Sequence, residues 1–167
     1  MSSIKEKHRF AFHHQKLMQD RVNIIFDCLS QGITDTQEIQ RKLDAVHDEF
    51  YRNEYKGKGS VSNTINALKE MDNVVKIKET RRFSDEDYSG IDLFVYYRIN
   101  EREIKKIEVG VKSSKGSCQK CLDSFGPTQL DIERFLIENN RIVIDGRKKA
   151  SEIKHDFEKQ LVKLFSC

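Results

Sequence analysis

Apolar residues in the first part of the chain recur every three or four positions, the spacing of a helix with one buried face. The set between residues 22 and 29 predicts a first helix, which Gly32 ends. Residues 34–50 predict a second helix and residues 60–71 a third. Between these two, residues 51–59 are polar and glycine-bearing, and we expect a loop there.

The apolar spacing changes after residue 71 to the two-residue alternation of strands. The predicted elements are strands at 74–83, 91–99 and 104–111, a loop at 113–127, a helix at 128–139, a strand at 141–145 and a last helix. The expected fold is therefore α/β (α+β): N-terminal helices, a helix–strand–strand–strand–helix–strand core with a mixed sheet, and a C-terminal helix. We expect an N-terminal helical segment at 1–59 and the core at 60–167.

Charge and composition narrow the class of protein only slightly. Charged residues make up 34% of the 167 residues and the formal net charge is +3, too small to indicate nucleic-acid binding by itself. No run of about 18 apolar residues occurs, so we expect no membrane partner. The polar start of the chain is unlike a secretory signal, and a cytoplasmic protein is expected.

Two short motifs carry candidate chemistry. Ser89-Gly90-Ile91-Asp92 stands at the start of the second predicted strand, and Glu108-Val109-Gly110-Val111-Lys112-Ser113-Ser114 ends the third. Together with the order of the elements from residue 60 to 145, they resemble the two motifs of the PD-(D/E)XK nuclease superfamily. That superfamily includes many restriction enzymes and Holliday-junction resolvases.

The resemblance implies a metal-dependent endonuclease acting on duplex or branched DNA. Asp92 would be the first ligand of Mg²⁺ or Mn²⁺, and Lys112 would be the catalytic lysine. The chemistry suits these residue types, because a divalent cation activates water for phosphodiester hydrolysis and prefers oxygen ligands. A lysine beside the metal can orient that water or offset developing charge.

The second acidic position departs from the family pattern. The family places a carboxylate, in some members a glutamine, two residues before the lysine, and here that residue is Gly110. Glu108 lies one strand repeat earlier on the same face, and Glu70 lies on the helix before the sheet. We expect Glu108 or Glu70 to be the second catalytic or metal-binding acid.

A competing interpretation is DNA binding without catalysis, by a decayed nuclease or a winged helix-turn-helix. Residues 20–99 resemble the latter, with residues 60–71 as its recognition helix. In that case Asn66 and Lys69 would face DNA. Other expected nucleic-acid contacts are Lys115 and Lys120 beside the supposed active site and the basic pair Arg81 and Arg82. A homodimer is a further possibility.

The cysteines include one Cys-x-x-Cys motif, Cys118 to Cys121. A structural Zn²⁺ site usually needs four ligands, and no second such motif occurs in the sequence. We therefore expect two incidental thiols in a polar loop rather than a Zn²⁺ site. A redox motif is not expected either, since the pair is not predicted to open a helix after a strand.

Overall fold

The computed structural model describes residues 3–166. Its helices are α1 (Ile4–Ser30), α2 (Thr36–Lys69), α3 (Asp85–Tyr88), α4 (Lys115–Asp123), α5 (Gln129–Glu138) and α6 (Ala150–Phe165). Its strands are β1 (Val74–Glu79), β2 (Leu93–Asn100), β3 (Glu103–Lys112) and β4 (Arg141–Asp145). The prediction of an α/β fold with N-terminal helices, a mixed sheet and a C-terminal helix is confirmed.

The chain divides into two compact units between Tyr55 and Lys56. In the first unit, α1 begins at a capping box in which Ser3 and Glu6 satisfy each other's backbone N–H groups. Its buried residues include Leu17 and Cys28. The boundary between the units falls within α2, where a loop was predicted.

Helix α2 corrects two expectations. Residues 51–59 are helical, so the second and third predicted helices are one. The cause is an unbroken series of inward positions: Leu43, Val46, Phe50, Glu54, Gly57, Ser60, Thr64 and Leu68 are all buried or half-buried at three- or four-residue intervals. A helix-turn-helix requires a turn between its two helices, and the continuous α2 lacks the turn that the competing winged helix-turn-helix interpretation of residues 20–99 needs.

The second unit is built on a four-stranded sheet in the order β1-β2-β3-β4. The two hairpin pairs β1–β2 and β2–β3 are antiparallel, whereas β3 and β4 run parallel. The parallel pair needs a crossover connection, and α4 and α5 provide it. Three strands, then helix, then strand is the order expected from the sequence.

The hydrophobic core covers one face of this sheet. The side chains that point towards it alternate along the strands, as in Ile107, Val109 and Val111 of β3. The end of α2 and the apolar stripe of α6 pack against them, with Leu68 and Phe157 fully buried. Helices α2 and α6 cover this face, and the strand side chains between the core residues point to the opposite face of the sheet.

Two loops of the predicted core are partly helical. The segment 113–127 contains α4, whose first turn is capped by the Ser114 hydroxyl accepting from the Ser117 N–H. The predicted turn at 84–90 contains α3, capped in the same way by Ser84. Within residues 3–166, no helix combines the length and the apolar character that a bilayer crossing requires.

Replacement of Gly57 or Gly59 by alanine tests the continuity of α2. At each position an added Cβ meets no described atom within 4 Å. Because alanine loses less backbone entropy in a helix than glycine, each substitution should raise the free energy of unfolding by about 0.5–1 kcal/mol. Urea unfolding followed by circular dichroism measures this. Gly32→Ala is the control and should destabilise, since Gly32 has φ +75°. Destabilisation by Gly57→Ala or Gly59→Ala would contradict a continuous helix.

Candidate functional site

The face of the sheet opposite the core carries the candidate site residues of β3. Since Ile107, Val109 and Val111 point into the core, Glu108, Gly110 and Lys112 point away from it. Leu93 pairs with Val109, and the Asp92 N–H donates to the Val109 carbonyl at 2.9 Å. Asp92 therefore extends the β2 ladder by one residue and lies beside Gly110.

Asp92 is held by the backbone of β3. Its Oδ2 accepts the Val111 N–H at 2.7 Å. Burial raises the pKa of the Asp92 carboxyl; this hydrogen bond and the nearby Lys112 charge lower it in part. The structure therefore places Asp92 and Lys112 near each other, at the end of β3 and on one face.

Asp87 is a second acid in this neighbourhood that the sequence did not single out. It lies on α3, and its Oδ2 accepts the Phe83 N–H at 2.7 Å. Its negative charge is among the causes, after burial, that raise the pKa of Asp92. The acidic run at 85–87 was the only signal in the sequence, and it resembled an ordinary polar turn.

Position 110 has no room for a side chain larger than the hydrogen of glycine. A Cβ at this position would lie 2.8 Å from the Gly90 carbonyl oxygen, which is inside van der Waals contact. Gly90 itself has φ +81°, a conformation that glycine adopts without strain. A backbone oxygen thus occupies the position where the family pattern would place the second acid.

Glu108 forms a salt bridge with the buried side chain of Arg141. Its Oε2 accepts from Nε and Nη2 of Arg141, both at 2.9 Å. Arg141 is 5% exposed, donates also to the Ser89 carbonyl, and lies over the stacked rings of Phe125 and Phe135. Glu108 neutralises this arginine, so the structure gives it a structural role rather than that of a free metal ligand.

Glu70 lies on the other side of the sheet. It directly follows α2, whose end packs on the core face, and its Oε2 accepts from Lys154 Nζ of α6 at 2.5 Å. The charges that shift the pKa of Asp92 are those of Lys112, Asp87 and Arg141, and Glu70 is not among them. The structure therefore pairs Glu70 with Lys154 and does not bring it to Asp92.

Further polar groups gather where β3 and β4 end side by side. Lys112 pairs in register with Asp145, and both affect the pKa of Cys118 on α4. Burial raises the pKa of the Cys118 thiol to about 11, and Asp145 contributes to the rise. Contrary to expectation, the Cys-x-x-Cys motif does lie in a helix that follows a strand, but a protonated thiol is a poor nucleophile.

The expected nucleic-acid contacts do not form one surface. Lys115 and Lys120 are exposed on α4, at the same end of the sheet as Lys112. Asn66 and Lys69 are exposed on α2, which packs on the core face and so lies away from Asp92. Arg81 and Arg82 follow β1, and the Arg82 guanidinium stacks on its neighbour Phe83.

The described residues contain no group of three or more His, Cys, Asp or Glu side chains arranged to hold a metal ion. Comparison with protein-family models, curated proteins and solved structures gave no match.

Replacement of Gly110 by alanine tests the close approach of Gly90. The added methyl group must displace backbone, so we expect destabilisation of about 1–3 kcal/mol, the usual range for an overpacked site. Gly116→Ala is the control: at this exposed helical position a Cβ meets no described atom within 4 Å, and stability should rise. Urea unfolding compares the two; an unchanged midpoint for Gly110→Ala would show that Gly90 and Gly110 lie farther apart.

Asp92→Asn tests the burial of the carboxylate. Asparagine can still accept the Val111 N–H but carries no charge. Because the folded-state pKa of Asp92 is raised, ionisation opposes folding above that pKa, and the opposition disappears as pH falls towards the ordinary value of 3.8. We expect a higher Tm than wild type at pH 7 and a difference that vanishes below pH 3.8. The exposed acid in Asp72→Asn should show no such gain, and an equal or lower Tm for Asp92→Asn at pH 7 would contradict the burial.

Proposed function

We propose that this protein acts on DNA, and that residues 56–166 form an endonuclease-like domain of the PD-(D/E)XK type that hydrolyses phosphodiesters with Mg²⁺ or Mn²⁺. The observation that carries the proposal is the approach of Asp92 and Lys112 on one face of a sheet whose strand order follows the expected core. Asp92 immediately precedes β2 and Lys112 ends β3, in the order that the resemblance implies.

The donor chemistry around Asp92 fits one divalent cation. Its Oδ2 accepts the Val111 N–H, whereas Oδ1 accepts no hydrogen bond from any residue between 3 and 166. Mg²⁺ is usually held by one or two carboxylates, with water and phosphate oxygens as the other ligands. Asp92 would supply the first carboxylate, and Asp87, whose charge acts on the pKa of Asp92, is a candidate for the second. A bound cation would supply a Lewis acid that polarises phosphate and activates water.

The protein's own side chains have distinct parts in this proposal. Asp92 binds the cation only when it is ionised, so its raised pKa moves the onset of binding to higher pH than for an ordinary aspartate. Lys112 offsets negative charge on the phosphate being attacked. Lys115 and Lys120 contact neighbouring backbone phosphates, which positions the strand without reading its sequence.

A second candidate function is DNA binding without hydrolysis. The contact between Gly90 and Gly110 favours it, because no side chain can reach the cation from the usual second-acid position. The engagement of Glu108 by Arg141 favours it further. In this case the basic residues would still bind DNA through phosphates, and divalent cations would not be needed.

A plasmid-nicking assay with Mg²⁺ or Mn²⁺ distinguishes the two candidates. We expect wild-type protein to nick supercoiled DNA, and Asp92→Asn and Lys112→Met to lose at least about 100-fold in rate, as for loss of one electrostatic catalytic group. Glu70→Gln is the matched control and should keep the wild-type rate. Gel shifts at low salt should show that Asp92→Asn still binds duplex DNA.

Each outcome of these assays supports or excludes one of the two candidate functions. Duplex binding by wild type without nicking in either metal would support the second candidate. Nicking that survives in both Asp92→Asn and Lys112→Met would exclude the assigned site. Absence of any salt-sensitive DNA binding by wild type would exclude both candidates.

A further inference from the structure

The face of the sheet opposite the core is accessible over β1, β2 and the first half of β3. The core residues Val95 and Ile107 point away from it, so their neighbours along the strands point towards it. Five of these side chains form what is here called the basic face: Lys76, Lys78, Tyr96, Arg98 and Lys106. The four cations are exposed and Tyr96 is half-buried, so a partner can reach all five.

Strand pairing gathers the cations of the basic face around Tyr96. Lys76 of β1 and Lys106 of β3 are its register partners on either side. Lys78 and Arg98 lie one two-residue repeat towards opposite ends of the strands. With strands about 4.8 Å apart and a repeat of about 6.8 Å, the Cα atoms of all four lie within about 8 Å of that of Tyr96. The Lys76 Nζ is 5.8 Å from the centre of the Tyr96 ring.

The charge of the basic face has one sign. On this side of β1, β2 and β3 the only carboxylate is that of Glu108, which pairs with Arg141. None of the four cations forms a salt bridge with any residue between 3 and 166. Their charge of +4 exceeds the formal net charge of +3 of the whole chain. Like charges on neighbouring strands destabilise a sheet, so an anionic partner explains this arrangement better than folding does.

We propose that the basic face binds single-stranded DNA, with one base stacked on Tyr96 and the adjoining phosphates on the surrounding cations. Surfaces that bind single strands combine these two features, a stacking ring and a positive path for the backbone. In a duplex the bases stack on one another, so only an unpaired base can lie against the ring. Anionic lipid or an acidic peptide would match the charge but would leave the central Tyr96 without a role.

The basic face lies on the same side of the sheet as Asp92. Asp92 precedes Tyr96 by four residues of extended chain, a distance of about 14 Å. A DNA strand held on Tyr96 can therefore continue along β2 to the proposed cation site. The choice of DNA and this connection rest on the proposed function, and they specify its substrate as DNA with a single-stranded segment. Binding at the basic face does not itself require Asp92.

Fluorescence anisotropy of a labelled oligothymidine of about 12 nucleotides, at low salt with EDTA, tests the stacking contact. Wild type should bind, and Tyr96→Leu should bind about 5- to 100-fold more weakly, the loss expected for one stacked base. Tyr96→Phe keeps the ring and should bind like wild type. The matched control Tyr55→Leu removes a tyrosine of α2 that is 80% exposed, and it should also bind like wild type.

Lys76→Gln/Lys106→Gln tests the phosphate contacts in the same assay. Each lost contact should reduce the slope of log affinity against log salt by about 0.7, so the double variant should lose about 1.4. Its Tm at low salt should equal or exceed that of wild type, because two like charges are removed. The matched control Lys42→Gln/Lys58→Gln removes the same charge from exposed positions of α2 and should keep the wild-type slope.

Absence of oligothymidine binding by wild type would overturn the proposal, including when wild type binds oligouridine or phosphatidylserine vesicles instead. Equal affinity of Tyr96→Leu and wild type, or an unchanged salt slope in Lys76→Gln/Lys106→Gln, would also overturn it. Because EDTA removes divalent cations, the result is independent of any cation at Asp92. Binding through Tyr96 by a protein that nicks no plasmid would support this inference and exclude the hydrolase. Nicking without oligothymidine binding would overturn this inference alone.

Discussion

The alternation of side chains along β3 determines where the candidate site residues of this strand lie. Burial of Ile107, Val109 and Val111 beneath α2 and α6 sends the intervening residues to the other face. A shift of one residue would exchange the two faces, and the core would lose three fully apolar positions. The register of the core thus holds Lys112 on the same face as Asp92.

Two contacts on that face then determine which of its positions can supply a metal ligand. The Gly90 carbonyl closes position 110, and Arg141 takes the carboxylate of Glu108. A guanidinium as buried as that of Arg141 is stable only when it is paired and hydrogen-bonded, so Glu108 is a requirement of the fold. Neither contact involves Asp92, and the raised pKa that its burial causes is of the kind often found at functional acids.

The sequence predicted the sheet well because its signals are local. Alternating apolar residues mark β2 and β3, and a short apolar run marks β4. The loop predicted at 51–59 was wrong because Gly57 and Gly59 were given more weight than the inward positions that continue across them. Helix α4 was missed because its polar residues carry little apolar periodicity.

The candidate site was only partly predictable for a different reason. Asp92 and Lys112 stand in short motifs, and a motif can be read along the chain. Asp87, Arg141 and the contact between Gly90 and Gly110 depend on segments that meet only in the folded protein. No spacing in the sequence indicates that Glu108 pairs with a residue 33 positions later.

The central claim is that Asp92 and its neighbours form a cation site at the end of β3, and paramagnetic broadening by Mn²⁺ in amide NMR spectra tests it most directly. We expect substoichiometric Mn²⁺ to broaden the amide signals of Gly90, Asp92 and Val111 first, and Mg²⁺ to reverse the effect. The same titration of Asp92→Asn should leave those signals sharp. Uniform weak broadening of exposed acidic segments, unchanged in the variant, would contradict the claim.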